Sequence, residues 1–144
     1  MIRGDLMREV KFRAWDTTRK EYLSGGEFLI AIQKGNRPKV SITYLDVLTH
    51  PDMYRNRFIV EQFIGRSDKN GLEIYEGDIV EATWYTYEEP IDEAFGEVVY
   101  NQGWCAWCIW DEENKTMSEL NAQGAYVFQI EILGNVHENP ELLN

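Results

Sequence analysis

The only paired thiols in the sequence are Cys105 and Cys108, in "GWCAWCIW". A Cys-x-x-Cys pair is the spacing of a dithiol redox centre or of half a zinc site, and tetrahedral zinc needs about four ligands. The remaining soft ligands are His50 and His137, each alone in its stretch of chain. Redox use needs the first cysteine at a helix N-terminus just after a strand, where the thiolate is stabilised, and nothing helical follows Cys108. If residues 104–110 are a strand, side chains alternate across it and the two thiols point to opposite faces. The pair is therefore read as two packed thiols in an aromatic strand, with no metal and no cofactor. Acid–base chemistry has one candidate group, the carboxylates of Glu73, Glu76 and Asp78. No histidine or cysteine lies near them in sequence to complete a mechanism, and carboxylates this numerous occur on any acidic surface.

The elements that must position these residues are strands. In "REVKFRAW" Val10, Phe12 and Ala14 alternate with charged residues, and Tyr22-Leu23 resume the pattern after the polar turn "DTTRKE", which predicts a hairpin. Two short apolar runs, at 28–32 and 40–44, flank a Gly35-Asn36-Arg37-Pro38 turn, and one helical turn fits "YLDVLTHPDMY". From residue 58 onward "RFIVEQFIG", "LEIY", "IVEATWYTY", "FGEVVYN", "GWCAWCIW" and "YVFQIEILGNV" read as strands, and "EEPIDEA" as a solvated acidic connection. Short strands with Gly-rich turns predict a mainly β chain: a small antiparallel SH3-like barrel over residues 58–144 with a C-terminal tail, preceded by a β-hairpin extension over 1–57. A barrel also removes exposed sheet edges without helices.

Composition narrows the partners. The chain has 144 residues, 44% hydrophobic and 13% aromatic, enough to build a core. It has no apolar run of the roughly 18 residues that a membrane span requires and no apolar segment near its start that reads as a secretory signal. A cytoplasmic protein is expected. The net charge is −11 and it is unevenly divided: residues 87–144 hold twelve carboxylates against Lys115 alone, while residues 1–86 hold 13 charges of each sign. Such a field repels phosphate backbones, so direct DNA binding is disfavoured and a basic protein surface is the expected partner.

Within that acidic half, Trp104, Ala106, Cys108 and Trp110 would share one face of a strand at 104–110, with Cys105, Trp107 and Ile109 on the other. Both faces are apolar, which predicts cover by the N-terminal strands or by a second copy in a homo-oligomer. The candidate interaction residues are Trp104, Trp107 and Trp110 with the acidic Glu88, Glu89, Asp111, Glu112 and Glu113. The candidate structural turns are Asn70-Gly71, a strong signal for a turn with positive φ, and Glu76-Gly77-Asp78, which bends the chain before Ile79 and Val80. Two turns around a short extended piece resemble the diverging turn of SH3-like barrels. There Asp68 and Asn70 cap their own loop, and Asp78 accepts backbone N–H groups.

Three separated segments, "REVKFRAWD", "FIGRSDKNGLEIYEGDIVE" and "ILGNVHENPELL", resemble the signature segments of the YopX family of bacteriophage and prophage proteins, in the same order and at comparable spacing. The middle segment departs from the family pattern at Ile64 and Arg66-Ser67, a matter of loop detail, and the cysteine pair lies outside the signature. The resemblance implies a small phage-encoded β protein in a bacterial host cell and carries over no catalytic residue. Three classes of function follow. The first is a non-enzymatic module for protein interaction or self-assembly. The second is a nucleic-acid-related accessory, acting as an acidic DNA mimic toward a basic host protein or through the cationic N-terminal residues Arg8, Lys11, Arg13, Arg19 and Lys20. The third is a small hydrolase with a carboxylate site.

Overall fold

The computed structural model describes residues 9–23, 29–31, 39–41, 57–87, 89–120 and 127–144. Eleven strands are found among them: β1 (Phe12–Asp16), β2 (Glu21–Tyr22), β3 (Leu29–Ala31), β4 (Lys39–Ser41), β5 (Phe58–Ser67), β6 (Glu73–Tyr75), β7 (Asp78–Thr86), β8 (Glu89–Asn101), β9 (Ala106–Asp111), β10 (Thr116–Glu119) and β11 (Val127–Asn135). One turn of 3-10 helix, Pro140–Leu143, follows β11. The fold is mainly β. The 35–38 turn, the helical turn at 44–54, His50 and Glu88 lie outside the described residues.

The chain divides into two compact units. One comprises Met1–Lys11 with Gln62–Asn144, the other Phe12–Glu61. In the latter, β1 and β2 form the expected antiparallel hairpin with Trp15 opposite Tyr22, and β3 pairs with β4. Ala14 and Leu23 are buried there against Phe58 and Val60. Asp16 is fully buried beneath the hairpin turn. Its carboxylate takes a two-pronged bond from Arg57, Nε at 3.0 Å and Nη2 at 2.6 Å, and also accepts the backbone N–H groups of Thr18 and Arg19. The Arg57 guanidinium and these N–H groups outweigh burial and hold the Asp16 carboxyl at about 2.

The larger unit is built on a five-stranded antiparallel sheet in the order β10-β9-β8-β7-β11. Alternation sends one face of each strand inward: Val98 sits opposite Ile109, and Ala82 opposite both Ala94 and Ile130. These side chains close on Ile64, Ile74 and Leu120 to make the core. The edges β10 and β11 do not pair with each other among the described residues. The outer edge of β11 is covered instead by the turn after β5, where Lys69 N–H donates to the Ile130 carbonyl at 2.8 Å and the Asp68 carboxylate accepts the Ile132 N–H at 3.2 Å. An occupied edge no longer templates pairing with another chain.

Three elements differ from the sequence reading. The acidic stretch "EEPIDEA" is not a connection: residues 89–94 are the first half of β8, paired with β7 through a bulge at Trp84/Tyr85. Cross-strand pairing there overrides a composition poor in β-formers. Strand β9 begins at Ala106, so Trp104 and Cys105 belong to the hairpin turn, with Cys105 at φ 53°. The polar "TMSE" forms β10, which lacks the apolar alternation that marks a strand in sequence.

Candidate functional site

The carboxylates singled out as a possible catalytic group are separated by the jobs the backbone gives them. Asp78 is buried, and its Oδ2 accepts the Tyr75 N–H at 2.8 Å, stapling the turn between β6 and β7. Glu73 pairs with Lys11 and accepts the Tyr75 hydroxyl at 2.8 Å; the Lys11 ammonium and that hydroxyl pull its carboxyl below the usual range, while the same pair raises Lys11 to about 12. Glu76 lines a cleft.

The two turns expected around β6 are both present, with Gly71 at φ 85° and Gly77 at φ 82°. Asp68 Oδ1 accepts the N–H groups of Asn70 (2.8 Å) and Leu72 (2.9 Å). Burial pushes the Asp68 carboxyl up, but the backbone donors from Leu72, Ile132 and Asn70 prevail and lower it. Gly77 is a buried junction: its N–H donates to the Val98 carbonyl and its own carbonyl accepts from Val136, both at 2.9 Å. That junction carries the Glu76 side chain to the end of the β8–β9 hairpin.

The hairpin end supplies the other wall. Tyr100 and Trp107, opposite each other in register, stack edge to face with centroids 5.0 Å apart. Gln102 lies on the turn they flank, and Gln62 comes from β5, whose carbonyl accepts the Glu76 N–H at 2.9 Å. Together Gln62, Glu76, Tyr100, Gln102 and Trp107 line a cleft of about 370 Å³. The indole Nε1–H of Trp107 is buried and has no hydrogen-bond partner. Trp104, on the same turn as Gln102, is 56% exposed, and its N–H is held by Asn101 Oδ1 at 3.0 Å.

The remaining predicted residues sit elsewhere. Trp110 is half-buried and its Nε1–H donates to Glu112 at 2.7 Å. Glu112 also pairs with Lys115, and Asp111 accepts both the backbone and the side-chain N–H of Asn114, so these residues tie the β9–β10 turn together. Glu113 is exposed on that turn, and Glu89 is exposed at the start of β8. Cys108 is fully buried in β9, where burial raises its thiol, while Cys105 is exposed on the turn. Among the described residues no three His, Cys, Asp or Glu side chains gather where a metal ion could be held. The aromatic member Trp107 and the acid Glu76 were marked by residue type. Gln62, Tyr100 and Gln102 were not, because their convergence depends on β5 crossing beside the hairpin, for which no local pattern stands.

The cationic residues near the start are largely engaged within the molecule. Lys11 pairs with Glu73, Arg13 Nε donates to Glu61 at 2.6 Å while its guanidinium lies 4.4 Å from the Tyr22 ring, and Arg19 lies 3.8 Å from both Asp16 and Glu21. Lys20 is exposed, and Arg8 lies outside the described residues.

Residues 11–144 match the family described as YopX protein. The chain belongs to the YopX family. Two crystal structures share the fold: protein yopX from Bacillus subtilis, 19% identical with a TM-score of 0.55, and protein EF1440 from Enterococcus faecalis, 23% identical with a TM-score of 0.51. In each case the match covers 96% of this chain and 100% of the other. Comparison with the curated proteins gives no match.

The segments that resemble the YopX signature are structural in this chain. The first contains Lys11, Arg13 and the buried Asp16, and the second contains the Asp68 and Asp78 turn staples. In the third, Asn135 is buried and its Oδ1 accepts the N–H groups of His137 (3.1 Å) and Glu138 (3.0 Å), while its Nδ2 donates to Glu138 at 2.6 Å. The Asn139 side chain occupies the space beside Gly134, 2.4 Å from where a β-carbon would sit. The Pro140–Leu143 turn itself buries none of its residues.

Proposed function

We propose that the protein is a phage- or prophage-encoded accessory that acts by binding another protein, on an SH3-like β scaffold. The scaffold reading is supported by the two staple turns around β6 and by the seating of the 68–72 turn on the edge of β11. The single observation that carries the binding reading is the aromatic cleft at the end of the β8–β9 hairpin, with exposed Trp104 beside it, in the half of the chain that holds the net negative charge. Rigid aromatic side chains are the groups that contribute most at protein interfaces, and a negative surface speeds encounter with a basic partner. The expected partner is a basic host or phage protein in the bacterial cytoplasm. Among the described residues no helix is long and apolar enough to cross a membrane. The test is affinity capture from host lysate, followed by fluorescence anisotropy of the captured complex at two salt concentrations. Weakening with salt is expected, and salt-independent affinity would refute the electrostatic account.

Two variants of this reading have observations of their own. Exposed Glu89, Asp92 and Glu93 follow one another along the outer half of β8, as a DNA mimic requires; duplex DNA should then compete for the captured partner. Self-association would use exposed apolar residues such as Tyr87 and Ile91 at the β7–β8 turn rather than β9, whose central Cys108 and Ile109 are already buried within one chain. Light scattering showing a dimer or larger is the expected result for that variant, and a monodisperse monomer excludes it.

A further inference from the structure

We propose that the cleft among Gln62, Glu76, Tyr100, Gln102 and Trp107 binds a proline-containing segment of the basic partner, extended as polyproline II and flanked by lysine or arginine. This rests on the reading of the protein as an interaction module and specifies the shape of what that module grips.

The neutral groups of the lining decide the chemical class. The side-chain amides of Gln62 and Gln102 and the Tyr100 hydroxyl make no hydrogen bond to another described residue. Each of the three is a donor as well as an acceptor. Beside them stand the rings of Tyr100 and Trp107, with centroids 5.0 Å apart, and Tyr100 is 43% exposed. Glu76 enters only as wall, its N–H bound to the Gln62 carbonyl. A wholly apolar ligand would desolvate both amides and the hydroxyl without replacing their hydrogen bonds, which is costly. Peptide groups next to a flat apolar side chain match both the polar and the aromatic parts of the lining. An anionic ligand is disfavoured by the net charge of −11, held after residue 86, and basic residues flanking a bound segment are drawn to the same field.

The conformation of the segment follows from which peptide groups it has to offer. A helix uses its main-chain N–H and C=O groups internally and leaves few for two amides and a hydroxyl. An added β-strand needs a free sheet edge, whereas β8 and β9 pair with each other at Tyr100 and Trp107, and the Trp107 carbonyl already accepts the Leu120 N–H at 2.9 Å. A polyproline II segment makes no internal hydrogen bonds and leaves its carbonyls free, so the glutamine NH₂ groups and the Tyr100 hydroxyl can donate to them. Proline favours that conformation, loses little freedom on binding and lays a rigid apolar ring against aromatic side chains. The volume of about 370 Å³ suits a proline with its adjoining peptide groups, at the lower end of the range for small-ligand sites.

The experiment is an NMR titration of the isotope-labelled full chain, following the side-chain NH₂ resonances of Gln62 and Gln102. The probes are capped peptides: a run of prolines flanked by lysines, the same peptide with alanine for proline, and the same with glutamate for lysine. The proline peptide should move both resonances along a saturating curve. The alanine peptide, which must be ordered on binding, should bind roughly tenfold or more weakly, and the glutamate peptide should be weakened by charge repulsion. Tyr100→Phe and Gln102→Ala, with the backbone amide spectrum otherwise unchanged as evidence of folding, should each weaken the proline peptide by roughly threefold to tenfold, the contribution of one hydrogen bond. Unmoved glutamine resonances, equal binding of the alanine or glutamate peptide, or full affinity in both variants would each overturn the proposal. If the glutamine resonances stay unmoved while a salt-dependent complex forms with a captured protein, the proline cleft is refuted and the interaction reading stands. If the proline peptide saturates and no protein complex forms, the cleft stands and the wider interaction reading falls.

Discussion

Asp68 shows how much a single side chain contributes to this fold. One carboxylate serves three backbone donors, Asn70 and Leu72 within its turn and Ile132 on β11. Replacing it with Asn leaves one oxygen and sets an NH₂ group against a backbone N–H, so Asp68→Asn should destabilise the protein by roughly 1–3 kcal/mol, read as a lowered urea midpoint. Gly77 carries a different constraint. At φ 82° and buried between Val98 and Val136, it occupies a conformation that a β-branched residue strains to adopt, and Gly77→Val should cost roughly 1–3 kcal/mol. An unchanged midpoint in that variant would mean the backbone there relaxes at no cost. The turn residues and their carboxylate caps were legible in the sequence because Asn-Gly and Gly-Asp pairs are governed by local sterics. The engagement of Lys11 by Glu73, 62 residues away, was not, since nothing local brings those residues together.

At the scale of the element, the β8–β9 pair is the part on which the cleft depends. The backbone of β9 comes so close to Gly96 that a β-carbon built there would lie 2.0 Å from the Trp110 carbonyl oxygen. Gly96→Ala must therefore push the two strands apart. A loss of at least about 2 kcal/mol is expected, with faster amide exchange in β8 and β9, and retention of wild-type exchange rates would show that the sheet absorbs the methyl group. Most strands were readable from alternation. The start of β8 was missed because Glu, Pro and Asp are poor strand formers, and pairing with β7 supplies what propensity lacks. The start of β9 was placed two residues early because Trp104 and Cys105 continue the apolar pattern, whereas hairpin closure turns them outward.

For the molecule as a whole, charge governs both acid stability and partner choice. Asp16 titrates near 2 in the folded protein against a reference of 3.8, and Asp68 is lowered as well. A depressed folded-state value means that the stabilisation is fully present above the unfolded value and is lost as pH falls through the folded one. Stability should therefore drop between about pH 5 and pH 2. Asp16→Asn should flatten that pH dependence while lowering neutral-pH stability by roughly 2–3 kcal/mol; thermal melts across the range measure both, and an equally steep acid limb in the variant would count against Asp16. The acidic half of the chain predicts no binding of bare duplex DNA at about 0.15 M salt, checked by anisotropy with labelled duplex. Among the described residues, the pairing of Lys11, Arg13 and Arg19 with carboxylates points the same way.

The sequence by itself determined the mainly β character, the turns around residues 73–75, the hairpin at 12–22 and the concentration of charge after residue 86, because each depends on neighbours in the chain: alternation, turn sterics and composition. Only the tertiary structure decided which aromatic residues face a cleft and which carboxylates are already engaged. Glu73, Glu76 and Asp78 look equivalent in sequence, yet one is held in an ion pair, one lines the cleft and one staples a turn. Their roles differ because each is set by strands distant in sequence, and local patterns carry no information about which distant backbone will arrive beside a given side chain.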